Sequence, residues 1–147
     1  MGFYMRYLST RGSALSNGAS ECFVSGIAGD GGLFVPESFP EISLEEIAAL
    51  GKLSYSQRCA FILSRYLDDF TSEELNQCVS AAYDGGSFDC AARAPLSRLN
   101  GGLYMLELWH GPTLAFKDMA LQLLPHLLVT AKRKLNRRET TLSLIHI

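Results

Sequence analysis

Apolar residues recur at helical spacing in three stretches of the first half of the chain and crowd several faces of a fourth stretch near its end. Ser43-Leu-Glu-Glu46 has capping-box form ahead of Ile47, Ala48 and Leu50, which predicts a short helix. Cys59, Ile62, Leu63 and Tyr66 share a face between Tyr55 and Leu67, predicting a second. Thr71-Ser-Glu-Glu74 opens a third, with Leu75, Cys78, Val79 and Ala82 as its apolar stripe. Gly102-Leu-Tyr-Met-Leu-Glu-Leu-Trp109 reads as a strand of large apolar residues. A long helix is expected beyond it, N-capped by Thr113, with Phe116, Ala120, Leu123, Leu127 and Ala131 on one face and Leu135 continuing it. Leu114, Leu121, Leu124 and Leu128 fill the adjoining face, so this helix is expected to be largely buried. Pro125 removes one backbone donor inside it and predicts a kink between Leu121 and Pro125.

Glycine-bearing segments punctuate this pattern. Asp84-Gly-Gly-Ser-Phe-Asp89 has turn composition and marks the boundary between a first part, residues 5–83, and a second. No helical pattern starts directly after it, which argues against a phosphate cradle. Asp30-Gly-Gly32 lacks the spacing of a nucleotide-phosphate loop and reads as a tight turn. The 147 residues, 48% of them hydrophobic, suffice for a buried core, and the composition is that of a globular protein. A net charge of −2 points to no polyanionic partner. Lys132-Arg-Lys134, followed by Arg137 and Arg138, is read as a solvated helix end that complements the dipole, and no nucleic acid is expected. Cys22, Cys59, Cys78 and Cys90 show no metal-type spacing, so reduced thiols, no metal and a cytoplasmic location are expected. No run approaches the roughly 20 apolar residues that span a bilayer, and no membrane partner is expected.

The candidate chemistry lies in Glu107-Leu-Trp-His-Gly-Pro-Thr-Leu-Ala-Phe-Lys-Asp118. A strand, a sharp turn and a helix opening put a side chain at the carboxyl edge of a sheet, where open α/β folds bind ligands. A lysine held there, Lys117, is a candidate for Schiff-base chemistry. The positive end of the helix dipole and the apolar Leu114, Ala115, Phe116 and Met119 are expected to raise the share of free amine that can attack an aldehyde. Asp118 acts in the opposite direction and leaves the balance open. Taken singly, Lys117 is an ordinary solvated lysine; its setting in a nearly all-apolar helix argues otherwise.

Three ordered motifs resemble the threonine synthase family. Met5-Arg-Tyr-Leu-Ser-Thr-Arg-Gly12 is similar to its opening strand, and Met1 to Tyr4 then read as an upstream extension without signal-peptide features. Ile27-Ala-Gly-Asp-Gly-Gly-Leu-Phe-Val-Pro-Glu37 resembles its Gly-rich segment, with Gly29 where members usually carry proline. Glu107 to Asp118 resembles its cofactor-lysine segment. The resemblance implies an α/β architecture. A small, mostly helical N-terminal domain is followed by the start of a fold type II (tryptophan synthase β-like) domain that binds pyridoxal 5′-phosphate (PLP). It further implies that Lys117 carries PLP as an imine, that Phe116 and Asp118 flank it at the cofactor, and that His110 to Thr113 shape the adjoining wall. His110 is assigned no proton-transfer role, since a turn histidine beside Gly-Pro is read as structural. The implied reaction converts O-phospho-L-homoserine and water to L-threonine and phosphate, with the freed Lys117 amine carrying protons between substrate carbons.

The resemblance covers nearly the whole chain, but only the opening part of the family's length. Residues 84–141 are therefore expected to be an incomplete catalytic domain, without the loop that holds the cofactor phosphate at a helix N-terminus or a partner for the pyridine nitrogen. Leu142-Ser-Leu-Ile-His-Ile147 coincides with one translated frame of a common sequencing adapter, so residues 142–147 are expected to be an artefactual tail. On these grounds the 147-residue polypeptide by itself is expected to be inactive. Two rival readings stand beside this one. Another fold type II PLP enzyme, such as a threonine dehydratase or a β-replacing synthase, is disfavoured by the Gly-rich segment and the His-Gly-Pro-Thr turn. A non-catalytic, threonine-synthase-like protein that binds a phosphorylated ligand is the other. Oligomeric state is left open by these residues.

Overall fold

Tyr7 and Ser9 are buried on one face with the half-buried Leu8 between them, and the three form the middle strand of a small sheet. In the computed structural model, which describes residues 5–12, 15–16 and 18–137, β1 (Tyr7–Ser9) lies between β2 (Leu15–Ser16) and β3 (Phe34–Pro36). Both pairings are antiparallel, with Leu8 opposite Val35 and Ser9 opposite Phe34. The turn leading into β3 is built on Asp30, whose Oδ1 accepts from Ser9 Oγ at 2.6 Å and from the Gly32 N–H at 2.9 Å. A Cβ at Gly32 would collide with the Ser9 hydroxyl, so this position has to be glycine. Asp30 to Gly32 is thus the tight turn expected. It runs into a strand, without the helix N-terminus that a phosphate cradle requires.

The helices follow the sequence pattern closely where caps are local. α2 (Leu44–Leu50), α3 (Tyr55–Ser64) and α4 (Ser72–Tyr83) each open on a reciprocal capping box: Ser43 with Glu46, Ser54 with Gln57, Thr71 with Glu74. Each box satisfies two backbone donors, and its cap residue contributes about 1 kcal/mol. The α4 stripe is fully buried: Leu75 and Val79 are both 1% exposed, and Cys78 and Ala82 lie beside them. α1 (Ala19–Ser25) was not foreseen. Its first turn is closed by a distant residue, Asp69, whose Oδ2 accepts from the Ser20 N–H at 2.9 Å.

The core joins α4, α1 and the last helix, α6 (Leu124–Lys134), through Ala19, Phe70, Leu75, Val79, Leu127 and Ala131. The predicted long helix is divided. α5 (Asp118–Leu121) has four residues, and α6 starts anew with Pro125 in its first turn. Pro125 has no N–H to continue the ladder, so the expected kink is a break. Leu123, Leu127, Leu128 and Ala131 are buried as predicted, whereas Leu114 and Phe116 are exposed, because the chain ahead of Asp118 is not helical; Ala120, within α5, is exposed as well. The basic end of α6 is also less solvated than expected. Lys134 Nζ donates to Glu74 Oε2 at 2.8 Å and lies 5.7 Å from the centre of the Phe70 ring, tying the end of α6 to the start of α4. Lys134 and Phe70 thereby form a cation–π contact as well. Cys22, Cys59, Cys78 and Cys90 are free thiols. Among the described residues no helix is long and apolar enough to cross a membrane. Residues 1–4 and 142–147, read above as an extension and a tail, lie outside the described ones.

Candidate active site

Gly101 and Gly102 both adopt positive φ, at 72° and 78°, a region that glycine enters at no steric cost. They turn the chain back on itself, so that β4 (Leu96–Arg98) and β5 (Tyr104–Leu106) form a two-stranded antiparallel hairpin. The predicted strand over Gly102–Trp109 is therefore shorter than its apolar run. Its residues Leu103, Tyr104, Met105 and Leu106 are exposed. Lys117 does not stand at the carboxyl edge of a parallel sheet among the described residues; a folded loop separates β5 from α5.

That loop is held at three points. At its start, His110 is bracketed by two carboxylates: Nδ1 lies 2.6 Å from Asp89 Oδ1 and Nε2 lies 2.8 Å from Glu107 Oε2. The Asp89 N–H donates in turn to the His110 carbonyl at 3.0 Å. Hydrogen bonds to Glu107 and Asp89 hold the imidazolium above the usual histidine range. The Glu107 carboxyl is held below its usual range by the Ser97 hydroxyl and by His110. At the loop's end, Asp118 is only 2% exposed, and its carboxylate accepts from the Thr113 N–H and the Thr113 hydroxyl, both at 2.8 Å. Thr113 is thus no N-cap; it is the donor in a clasp that Asp118 closes. Behind α5, the buried Tyr83 hydroxyl donates to the Met119 carbonyl at 2.6 Å. Burial raises the Tyr83 phenol well above its usual range, so it stays a donor.

These ties force an unusual backbone. Gly111 packs directly on Asp118, and a Cβ there would lie 2.5 Å from Oδ2. Leu114 sits at a φ of 60°, a region costly for a bulky side chain. Lys117 occupies the N-cap position of α5 and is exposed, and Phe116 beside it is 66% exposed. The apolar surroundings expected for Lys117 are accordingly not assembled from Leu114 and Phe116. Lys117 and Phe116 point outward while Asp118 faces inward, so the three candidate residues are adjacent in sequence but not grouped around one cavity. An apolar groove of about 550 Å³ lies elsewhere, against α3, and is lined by Tyr55, Cys59, Ile62, Leu63 and Pro95 without Lys117. Arg58 is the charged group on its wall, and no residue of the Glu107–Asp118 motif takes part in its lining.

Asp89 and Tyr83 are functional-site partners that the residue pattern did not single out. Tyr83 reads as one more stripe residue at the domain boundary, and Asp89 as the last residue of a turn. Glu107 was legible in part, since it stands three residues before His110.

The match to known proteins covers both parts of the chain. The family model described as "Threonine synthase N terminus" matches residues 6–83. Threonine synthase from Pseudomonas aeruginosa is 44% identical over 132 residues, which is 88% of this chain and 28% of that protein. Human threonine synthase-like 1 is 41% identical over 111 residues, 74% of this chain and 15% of that protein. The crystal structure of PLP-bound threonine synthase from Brucella melitensis superposes with a TM-score of 0.83 at 36% identity. The superposition covers 91% of this chain and 29% of that one. The chain thus spans less than a third of the length of these relatives. The expected α/β architecture, a small, mostly helical N-terminal domain followed by the opening of a fold type II domain, agrees with this superposition.

Proposed function

This chain belongs to the threonine synthase family, and from that premise we propose that it carries the cofactor lysine, Lys117, of a PLP-dependent lyase. In this reading, O-phospho-L-homoserine and water become L-threonine and inorganic phosphate, in the cytoplasm. Residues 5–83 are the N-terminal domain, and residues 84–141 open the catalytic domain. PLP, when bound, supplies the electron sink for carbanions at the substrate. Lys117 is the residue that would hold it, through its amine, and that amine when free is the proton carrier for the substrate carbons. Phe116 is the neighbouring apolar surface available to an aromatic ring. Asp118 contributes by shape: its inward carboxylate closes the loop and turns Lys117 outward.

The single observation that carries this reading is the exposed Lys117 at the end of a strained, clasped loop inside the Glu107–Asp118 motif. Backbone strain of this kind persists where the surroundings enforce it. The described residues fit the covalent link to PLP but supply no cradle for its phosphate: α5 is too short, and neither glycine turn leads into a helix. The 147-residue polypeptide is therefore expected to bind PLP weakly and to release no phosphate from O-phosphohomoserine.

The test is reductive trapping: PLP in excess, borohydride, then peptide mapping of Lys52, Lys117, Lys132 and Lys134. Label is expected on Lys117 ahead of the others and lost in Lys117→Ala. Equal labelling of Lys52 and Lys117 would remove Lys117 from the role. For a protein extended to the length of its relatives, phosphate release that vanishes in Lys117→Ala is the second arm. Tight ligand binding without phosphate release would favour the non-catalytic alternative.

A further inference from the structure

We propose that His110 is a positioning residue for the Lys117 loop, acting as an imidazolium clamped between Asp89 and Glu107. The proposal rests on the reading of Lys117 given above. An ionised carboxylate only accepts hydrogen bonds, and a neutral imidazole has a single N–H. With Asp89 Oδ1 at 2.6 Å from one ring nitrogen and Glu107 Oε2 at 2.8 Å from the other, only the protonated ring satisfies both. Loss of the proton leaves a nitrogen lone pair facing a carboxylate oxygen. The clamp would then open on one side.

The geometry links this event to the lysine. Asp89 lies between α4 and β4, Glu107 follows β5, and the Ser97 hydroxyl on β4 donates to Glu107. The Trp109 ring lies at a tilt 5.7 Å from the imidazole. Asp89 and Glu107 are the charged groups that face the ring among the described residues. The residue after His110 is Gly111, whose Cα abuts the Asp118 side chain, and Asp118 in turn clasps Thr113. The loop is thus anchored at its start by the ionic clamp and at its end by the buried carboxylate. Lys117 takes its direction from both.

Because folding raises the proton affinity of His110, the clamp is complete below the ordinary histidine range and is lost as pH rises through the folded value. This gives a measurement that a merely space-filling histidine would not move. Amide hydrogen exchange of the 147-residue chain, corrected for intrinsic rates, is followed for Gly111 and residues 113–118 from about pH 5 to pH 9. Protection of these amides is expected to fall roughly tenfold across the His110 transition, while α4 stays level. His110→Gln, which keeps one donor and does not titrate, is expected to abolish the step. Glu107→Gln is expected to move it to lower pH.

Flat protection in the unmodified chain overturns the proposal, as does an unchanged step in His110→Gln. If His110→Gln does not fold, an unshifted step in Glu107→Gln overturns it equally. Trapping of PLP in the same samples separates the two readings. A step without preferential labelling of Lys117 keeps the clamp and removes the lysine's assigned role; preferential labelling without a step does the reverse.

Discussion

The core around α4 and the hairpin-and-loop that carries Lys117 are made of comparably apolar sequence, yet they are held by opposite means. In the first, Leu75, Val79 and Ala131 are buried against one another, and dispersion and desolvation hold the helices. In the second, Leu103, Tyr104, Leu106 and Phe116 stand exposed, and the backbone is fixed by charged and polar contacts: His110 with two acids, Asp118 with Thr113. Apolar character secures a segment only where another element supplies a facing surface. Without one, a strand can remain three residues long and a loop can still be rigidly specified, provided its hydrogen bonds are closed.

Substitutions can break this contrast or sharpen it. Leu75→Ala is expected to cost about 2–5 kcal/mol in denaturant unfolding, since it opens a cavity where nothing can collapse. A loss under about 1 kcal/mol would mean that the α4 packing is not the principal support of the fold. Gly111→Ala drives a methyl into the Asp118 carboxylate and is expected to cost roughly 1–3 kcal/mol. Its distinguishing sign is loss of preferential PLP labelling at Lys117 with helical circular dichroism retained. Thr71→Ala removes one side of a capping box and should lower stability by about 1 kcal/mol, read as a shifted urea midpoint at constant slope. Leu103→Ser lies at the other extreme. An exposed leucine with no facing partner should change stability by no more than about 0.5 kcal/mol, and a larger loss would show that the hairpin is packed in solution.

How much was legible in the sequence follows the same division. α2, α3 and α4 announce themselves because cap and stripe are contiguous: Ser43 finds Glu46, and Thr71 finds Glu74, within one turn. α1 escaped because its cap, Asp69, arrives from another part of the chain, and Gly18 ahead of it offers no side chain. The Glu107–Asp118 motif was one of three that pointed to the family, but the local geometry read from it was wrong. Helical spacing suggested a kinked helix that opens at Thr113, and nothing in the residue pattern foretold that Asp118 would fold inward onto Thr113 and hold Leu114 at positive φ. Such closure depends on which oxygen meets which N–H, information that apolar periodicity does not carry. Tyr83 and Asp89 were illegible for the same reason, since each acts through a partner that is remote in sequence.

The missing N–H of Pro125 also has a mechanical meaning. A continuous rod from Lys117 to Lys134 would act as a lever, passing any displacement of the lysine's turn into Leu127, Leu128 and Ala131 and so into the packed interior. With the rod interrupted ahead of Pro125, Asp118–Leu121 takes its position from its own ties, Asp118 to Thr113 and Met119 to Tyr83, while α6 is seated by Leu127 and Ala131. The turn that presents Lys117 is thereby set by contacts of its own, and not by the pitch of the helix that follows.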